Sequence, residues 1–181
     1  MGLTGMGRAG LLLCLFIWMV PASWVGTGAL FWSGTAVADT VGTETGLPIP
    51  RYVTLRAKEV NVRAGPGSRF PIEWVFQRPD LPVEIVTEFD IWRKVRDVDG
   101  TEGWVHRSML SGRRSVIVIG MIRALRRSPD TGAPVVARLE PGVVAELETC
   151  RREWCEVEVA GFSGWVHRSH IWGVRTDEAL D

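Results

Sequence analysis

The hexapeptide GWVHRS occurs twice, at Gly103–Ser108 and again at Gly164–Ser169. The flanking sequence repeats too: Trp92 aligns with Trp154, and VNVRAGPG upstream of the first hexapeptide aligns with RALRRSPD upstream of the second. An internal repeat with a fixed spacing indicates one small structural unit that is used twice. Any fold proposed for this chain must therefore be one that can be built from two similar halves.

The two units span residues 51–112 and 113–174. Each contains short runs rich in valine, isoleucine and aromatic residues, such as YVTL, VEIVTEF and IWRKVRDV, and several alternate with a period of two. Turn-forming residues separate these runs, and no sustained helical period is visible after residue 38. Five or six short strands in so short a unit predict a small barrel. Because such a small unit is marginally stable alone, we expect the two barrels to pack together.

The first unit contains three motifs: VNVRAGPG, a W-x-x-V strand, and G-x-x-GWVH followed shortly by a leucine. In these motifs it resembles the bacterial SH3-like (SH3b) domain family. The second unit keeps the tryptophans and GWVHRS but has ALRRSPD where the family prefers NVRxGP. The resemblance implies an all-β chain of two tandem SH3-like barrels. It also implies a non-enzymatic module of an exported or cell-envelope protein, and some members of the family bind cell-wall peptides.

Residues 1–38 have the pattern of a signal peptide. Arg8 precedes the apolar run LLLCLFIWMV, and Ala36 and Ala38 form an A-x-A cleavage site. We predict cleavage after Ala38, which would export the protein, with the periplasm as its destination and without stable membrane insertion. The alternative is an uncleaved anchor, because residues 11–32 are long enough to cross a bilayer.

The segments outside the two units are short. We interpret residues 39–50 as a flexible linker and residues 175–181 as a C-terminal tail. The stretch GLPIPRY, residues 46–52, either docks as a polyproline-II ligand on an SH3-like groove or serves only as a connection.

The charge balance and the motifs of the sequence exclude several functions. The chain has 21 basic and 21 acidic residues, so it has no bulk attraction to nucleic acid. Gly65-Pro66-Gly67 has no following lysine and opens no helix, so it is not a phosphate-binding loop. A G-x-S-x-G elbow is also missing from the sequence, and a serine two residues after a histidine is too common to indicate a nucleophile. We therefore predict that the protein is not an enzyme and has no cofactor.

The hexapeptide itself has two interpretations. In a strand, Trp104 and His106 project to one face and Val105 to the core, while Gly103 is expected to permit the backbone conformation entering the strand. By analogy with eukaryotic SH3 domains, the exposed face forms a shallow aromatic groove. Alternatively, the tryptophans only pack the barrel surface and each histidine caps a local turn. The groove residues would be Trp92, Trp104, His106 and Met109 in the first unit, and Trp154, Trp165, His167 and His170 in the second.

Cys150 and Cys155 bracket a hairpin turn in the second unit. In an exported protein such a pair predicts a disulfide. The alternatives are two free thiols, or a zinc site with His167 and His170, although this spacing is not that of a standard zinc finger. We predict the disulfide and no metal.

These features predict a non-enzymatic binding or scaffolding module of the bacterial cell envelope. The expected partner is a cell-wall peptide or a segment of an envelope protein, bound through the aromatic groove. The alternative is a purely structural, self-associating envelope protein without a small ligand.

Overall fold

The computed structural model describes residues 40–180. The signal peptide predicted over residues 1–38, with its cleavage site, lies outside the described residues. Within residues 40–180, no helix is both long and apolar enough to cross a membrane. The described chain begins with a hairpin of two very short antiparallel strands, β1 (Thr40–Val41) and β2 (Pro48–Ile49).

The first unit folds into a seven-stranded antiparallel sheet that encloses one apolar core. Its elements are β3 (Arg51–Leu55), β4 (Val60–Arg63), β5 (Ile72–Phe76), β6 (Pro82–Phe89), β7 (Trp92–Arg96), β8 (Glu102–His106), the 3-10 turn η1 (Arg107–Met109) and β9 (Leu110–Ser111). The strands lie in the spatial order β5-β4-β8-β7-β6-β3-β9.

The second unit repeats this arrangement strand for strand. Its elements are β10 (Ser115–Val118), β11 (Arg123–Arg126), β12 (Val135–Leu139), β13 (Val144–Arg151), β14 (Trp154–Val159), β15 (Phe162–His167), the 3-10 turn η2 (Arg168–His170) and β16 (Ile171–Trp172). The spatial order is β12-β11-β15-β14-β13-β10-β16.

Local irregularities are duplicated together with the strand order. The β6–β7 ladder shifts register between Ile85 and Thr87, and the β13–β14 ladder does so between Leu147 and Thr149. Bulges of this kind are built into a fold and bend its strands. The prediction of an all-β chain with two tandem barrels is confirmed. Each barrel has seven strands where five or six were expected, because the two-residue strands β9 and β16 are too short to show a period in the sequence.

Each core consists of the inward-facing residues of alternating strands. In β8, for example, Gly103 and Val105 are buried, whereas their neighbours on the strand are only half-buried. The first core contains Leu55, Val60, Val62, Val83, Ile85, Val95, Val105 and Leu110. The second contains Val116, Val118, Leu125, Leu139, Ala145, Leu147, Cys150, Cys155, Val157, Val166, Ile171 and Val174.

A buried carboxylate, that of Glu88 in β6, attaches the N-terminal hairpin to the first barrel. Its side chain is 0% exposed. It accepts hydrogen bonds from Arg51 Nη2 (2.7 Å), Thr45 Oγ1 (2.8 Å) and the backbone N–H groups of Glu44 and Thr45 (3.0 Å each). The Arg93 Nε atom lies 3.4 Å away. Burial alone would raise the pKa of Glu88, but the hydrogen bonds outweigh it and hold the pKa at about 2, against its ordinary 4.5.

The segment predicted as a flexible linker is therefore held in place over most of its length. Pro48 and Ile49 pair with β1 as a strand, so they do not dock as a polyproline-II ligand. The reason lies outside the segment: its loop amides bind a carboxylate more than forty residues further along the chain. Such a contact leaves no mark on the composition of the segment.

In the second barrel, Cys150 and Cys155 face each other across β13 and β14 and form a disulfide. The predicted disulfide is confirmed, and the free-thiol and zinc alternatives are wrong because both sulfur atoms are used in this bond. The corresponding cross-strand pair in the first barrel is Glu88 with Arg93. One barrel thus has a covalent bond where the other has an ion pair.

The C-terminal residues attach to the same strand end of the second barrel. Cys150 N–H donates to the carbonyl of Leu180 (2.9 Å), and Leu180 N–H donates back to the carbonyl of Cys150 (3.4 Å). The buried guanidinium of Arg168 donates to the backbone carbonyls of Arg175 and Glu178. The tail predicted over residues 175–181 is accordingly bound to the barrel as far as Leu180.

The two barrels pack against each other, as expected. The hydroxyls of Thr54 and Ser115, both buried, lie 2.8 Å apart. The rings of Tyr52 and Trp172 meet edge to face with centroids 5.0 Å apart, a contact that adds about 1 kcal/mol beyond its area burial. Gly173 has φ +118°, and a Cβ there would lie 2.6 Å from the carbonyl oxygen of Ser115. Only glycine fits this junction.

Replacing the buried carboxylate, Glu88→Gln, should destabilise the protein at neutral pH by roughly 3 kcal/mol. The folded-state pKa lies below the ordinary value, so this contribution is present above pH 4.5 and is lost as the pH falls toward 2. Urea unfolding followed by tryptophan fluorescence at several pH values measures it. Glu44→Gln, at an exposed neighbouring carboxylate, is the control and should change little. An unchanged acid-stability curve in Glu88→Gln would contradict the assignment.

Tyr52, the chain's single tyrosine, reports on the contact between the barrels. Burial, reinforced by the negative charges of Glu84 and Glu178, raises its pKa from 10.0 to about 12. The neutral phenol therefore stabilises the fold below pH 10, and this contribution is lost as the pH rises toward 12. Trp172→Ala should expose the phenol and lower its pKa toward 10.0, as measured by tyrosinate absorbance.

The matched control for that titration is Phe162→Ala, which removes an exposed aromatic from the same barrel as Trp172. Circular dichroism on the same samples separates phenol titration from alkaline unfolding. A midpoint near 10 in the folded, unmodified protein would contradict the partial burial that raises the pKa of Tyr52.

Candidate functional site

Each hexapeptide lies mainly on a single strand, which is β8 in the first barrel and β15 in the second. Val105 is 0% exposed and belongs to the core, whereas Trp104 and His106 are half-buried on the opposite face. Val166, Trp165 and His167 repeat this arrangement. The alternation predicted from the sequence thus places one tryptophan and one histidine of each copy on the outer surface.

The first residue of each hexapeptide must be glycine because there is no space for a side chain at this position. Gly103 and Gly164 both lie within regular strand, and neither has a positive φ, so the predicted need for backbone freedom is wrong. A Cβ on Gly103 would lie 2.3 Å from Val62 Cγ1, and one on Gly164 would lie 2.7 Å from the carbonyl oxygen of Arg126. The neighbouring strand crosses so closely that no side chain fits.

Each histidine caps the 3-10 turn that follows its strand. His106 Nδ1 accepts from the backbone N–H of Ser108 (3.2 Å) and lies 2.6 Å from the Ser108 hydroxyl. His167 Nδ1 and Ser169 repeat these contacts at 3.3 and 2.8 Å. Because Nδ1 accepts the backbone N–H, the ring proton of the neutral imidazole is on Nε2.

A tryptophan on the neighbouring strand packs against each of these histidines. Trp92 and His106 pair directly across β7 and β8, with ring centroids 5.5 Å apart and an interplanar angle of 86°. Trp154 and His167 do the same across β14 and β15 at 5.4 Å and 78°. We call these constellations the first Trp–His site (Trp92, His106, Ser108) and the second Trp–His site (Trp154, His167, Ser169).

The other predicted site residues divide into three groups. Trp104 and Trp165 lie on the same outer face as the Trp–His sites, but each precedes its histidine on the strand. They are paired with Lys94 and Glu156 of the neighbouring strands. Met109 packs against the first core. His170, its counterpart, instead lies beside His167, with ring centroids 5.3 Å apart.

A cleft of about 370 Å³ adjoins the second Trp–His site. We call it the basic cleft, because its lining includes Arg123 and Arg126 together with His167 and His170, and none of its lining residues is acidic. Burial, the charge of Arg123 and the neighbouring His167 all lower the pKa of His170. The remaining wall is formed by Ile122, Ala124 and Thr131 together with Trp154 and Ser169.

The two histidine–serine contacts have the residue types of a catalytic pair. Glu153 Oε2 lies 3.8 Å from His167 Nε2, so Ser169, His167 and Glu153 form a chain of polar groups. The serine, however, is only two residues from its histidine, and its hydroxyl and backbone N–H both approach the same Nδ1 atom. This is the geometry of a turn cap.

Among residues 40–180, no cluster of three or more His, Cys, Asp or Glu residues is arranged to hold a metal ion.

Each barrel, with its copy of the site, matches the same family of known proteins. The sequence profile described as "Bacterial SH3 domain" matches residues 56–112 and again residues 121–173. The chain belongs to the bacterial SH3 domain family. Each match covers one barrel apart from its first strand, β3 or β10, and the tandem arrangement inferred from the repeat is confirmed.

Two solved structures show a more distant similarity. NlpC2 and NlpC1 from Trichomonas vaginalis are each 10% identical to the chain, with TM-scores of 0.32. The matches cover 68% and 72% of this chain but only 48% of each of theirs, so the chain spans about half the length of these structures. At this distance the similarity carries no information about ligand or activity. No curated protein matches the chain.

The two bacterial SH3 domains use the arginine of GWVHRS differently, which sequence reasoning missed. Arg107 is exposed, whereas Arg168 is buried and also donates to the carbonyl of Arg152 (2.9 Å). In the first domain Arg93 binds the corresponding carbonyl, that of Asp90 (2.8 Å). Cys155 occupies the position of Arg93 in the second domain, so Arg168 supplies the missing guanidinium from the other side. Identical hexapeptides could not reveal this difference.

Gly103→Ala should destabilise the protein by about 1–3 kcal/mol, because its Cβ would overlap Val62 in a packed core. Gly112→Ala is the control: Gly112 is exposed, has no heavy atom within 4 Å of a built Cβ, and does not have a positive φ. Denaturant unfolding compares the two variants. Equal stability of both would show that the close strand crossing is not what excludes a side chain.

Proposed function

We propose that this protein is a non-enzymatic binding module of the bacterial cell envelope, whose two Trp–His sites recognise a cell-wall peptide or a segment of an envelope protein. The observation that supports it is the duplication of the site. The ring pairs Trp92–His106 and Trp154–His167 have nearly the same geometry in the two domains.

The chemistry of these sites suits peptide recognition. A half-buried tryptophan offers a flat apolar surface and an indole N–H donor, and such side chains are enriched where proteins bind partners. The histidine, whose Nδ1 caps the turn, keeps its ring edge-to-face against the tryptophan. The site is therefore held in shape before a ligand arrives, which lowers the entropic cost of binding.

Export to the periplasm is part of this proposal. The apolar N-terminal run with its A-x-A site is the pattern of a cleaved signal peptide. The disulfide between Cys150 and Cys155 fits the same destination, because such bonds persist in oxidising compartments.

A structural, self-associating role is the second candidate. The outermost strands β5 and β12 carry exposed apolar side chains, Ile72 and Val75 on the first and Val135 on the second. Edge strands of this kind can pair with another chain. Sedimentation equilibrium over a range of concentrations tests it: a monomer throughout would exclude self-association.

Co-sedimentation with purified peptidoglycan sacculi tests the first candidate. The protein should sediment with the sacculi, and Trp92→Ala combined with Trp154→Ala should reduce the bound fraction at least about tenfold, the loss expected when central aromatic contacts are removed. Phe162→Ala, which removes an exposed aromatic outside both Trp–His sites, is the matched control.

Circular dichroism shows whether the double variant remains folded. Folded protein that no longer sediments supports binding through the Trp–His sites. Undiminished sedimentation of the folded double variant would overturn their role, and failure of the unmodified protein to sediment would overturn the cell-wall ligand.

A further inference from the structure

The basic cleft contains two side chains that have no equivalent in the first domain. Arg123 and His170 occupy the positions of Val60 and Met109. Val60 is 0% exposed in the first core, and Met109 packs against that core. The second domain thus has two polar, basic side chains where the first has core-packing ones. Replacing core-packing side chains by basic ones loses the stabilisation that comes from burying apolar surface. Packing therefore does not explain the two basic residues.

The cleft lining contains two arginines and no acidic residue, and one of these arginines makes few contacts with the rest of the protein. Arg126 Nη1 donates to the carbonyl of Ala133 (2.7 Å), which holds a loop. Among the described residues, Arg123 makes only one long hydrogen bond, from Nε to the carbonyl of Ile119 (3.5 Å), and no ion pair. The nearest acid to the cleft histidines is Glu153, 3.8 Å from His167 and not part of the cleft lining. Most of the donors of Arg123 are therefore available to a ligand.

The rest of the lining limits the kind of anion that fits. Ile122 is 55% exposed and lies on the wall with Trp154, which gives the cleft an apolar side. Thr131 and Ser169 add neutral hydroxyls. A planar carboxylate matches the fork of a guanidinium, and a small apolar group beside that carboxylate would contact the isoleucine and the tryptophan. The free C-terminal end of a short peptide with small side chains has this combination.

We propose that the basic cleft of the second domain binds the terminal carboxylate of a short peptide, with Arg123 as its principal partner, and that the first domain lacks this capacity. The inference rests on the proposed function and specifies the ligand group for one of its two sites. The two domains then have different roles, because the second selects a chain end whereas the first offers only its Trp–His site.

Nuclear magnetic resonance titration of the ¹⁵N-labelled protein, with both domains present, tests this proposal. The probes are acetyl-D-alanyl-D-alanine, the same dipeptide with an amidated C-terminus, and inorganic phosphate. The free acid at millimolar concentration should shift the indole resonance of Trp154 and leave that of Trp92 in place. The amide should bind at least about tenfold more weakly, because it lacks the charge that Arg123 pairs with.

Arg123→Gln should weaken binding of the free acid by about tenfold or more, which is the usual effect of losing one charge-assisted contact. Arg107→Gln, at an exposed arginine of the first domain, is the matched control and should leave the affinity unchanged. Equal binding of acid and amide, tighter binding of phosphate than of peptide, equal response of Trp92 and Trp154, or no response to any probe would each overturn the proposal. Sacculus binding that persists in Arg123→Gln but is lost in the tryptophan double variant would leave the proposed function intact while removing this inference.

Discussion

The cross-strand pair at the end of the β6–β7 hairpin and of the β13–β14 hairpin is the position on which the rest of this structure depends. In the first domain it is Glu88 opposite Arg93, and in the second it is Cys150 opposite Cys155. A domain of this size buries too little apolar surface to be secure without further links. Here each domain adds one link at this position, and the same position also binds a segment that lies outside the barrel. The N-terminal hairpin binds to the carboxylate of Glu88, while the C-terminal residues pair with the backbone of Cys150.

The choice between an ion pair and a disulfide at this position affects the contacts of the surrounding residues. A cysteine at the position of Arg93 removes the guanidinium that satisfies a turn carbonyl, and Arg168 takes over that contact from the opposite side. The same side chain then reaches the C-terminal segment. The two domains thus share the strand order and the Trp–His site, whereas the residues around them have different roles. In the basic cleft, likewise, Arg123 and His170 stand where the first domain has the apolar residues Val60 and Met109.

Much of this architecture could be predicted from local pattern. The repeat predicts two equivalent domains, period-two alternation predicts the buried Val105 and the outward Trp104, and the cysteine spacing predicts the disulfide. What local pattern could not supply depends on residues that are distant in sequence. Glu88 holds residues 44 and 45 against the first barrel, and the need for Gly103 comes from Val62 in β4, 41 residues earlier in the chain. The cleft could not be predicted because its arginine lies where the family motif is lost, a change that indicates only a remodelled loop.

The junction between the domains determines what the pair can do that one domain cannot. Thr54 with Ser115, and Tyr52 with Trp172, replace a free tether by a packed contact, and the chain approaches so closely at Gly173 that no side chain fits there. Two binding surfaces on a flexible linker sample many separations, and the effective concentration of the second surface for a ligand already bound to the first is averaged over all of them. Surfaces fixed on one body have a single separation. A repeating polymer whose spacing matches that separation would be held with an avidity far above either single affinity, and one whose spacing does not match would gain nothing from the second domain.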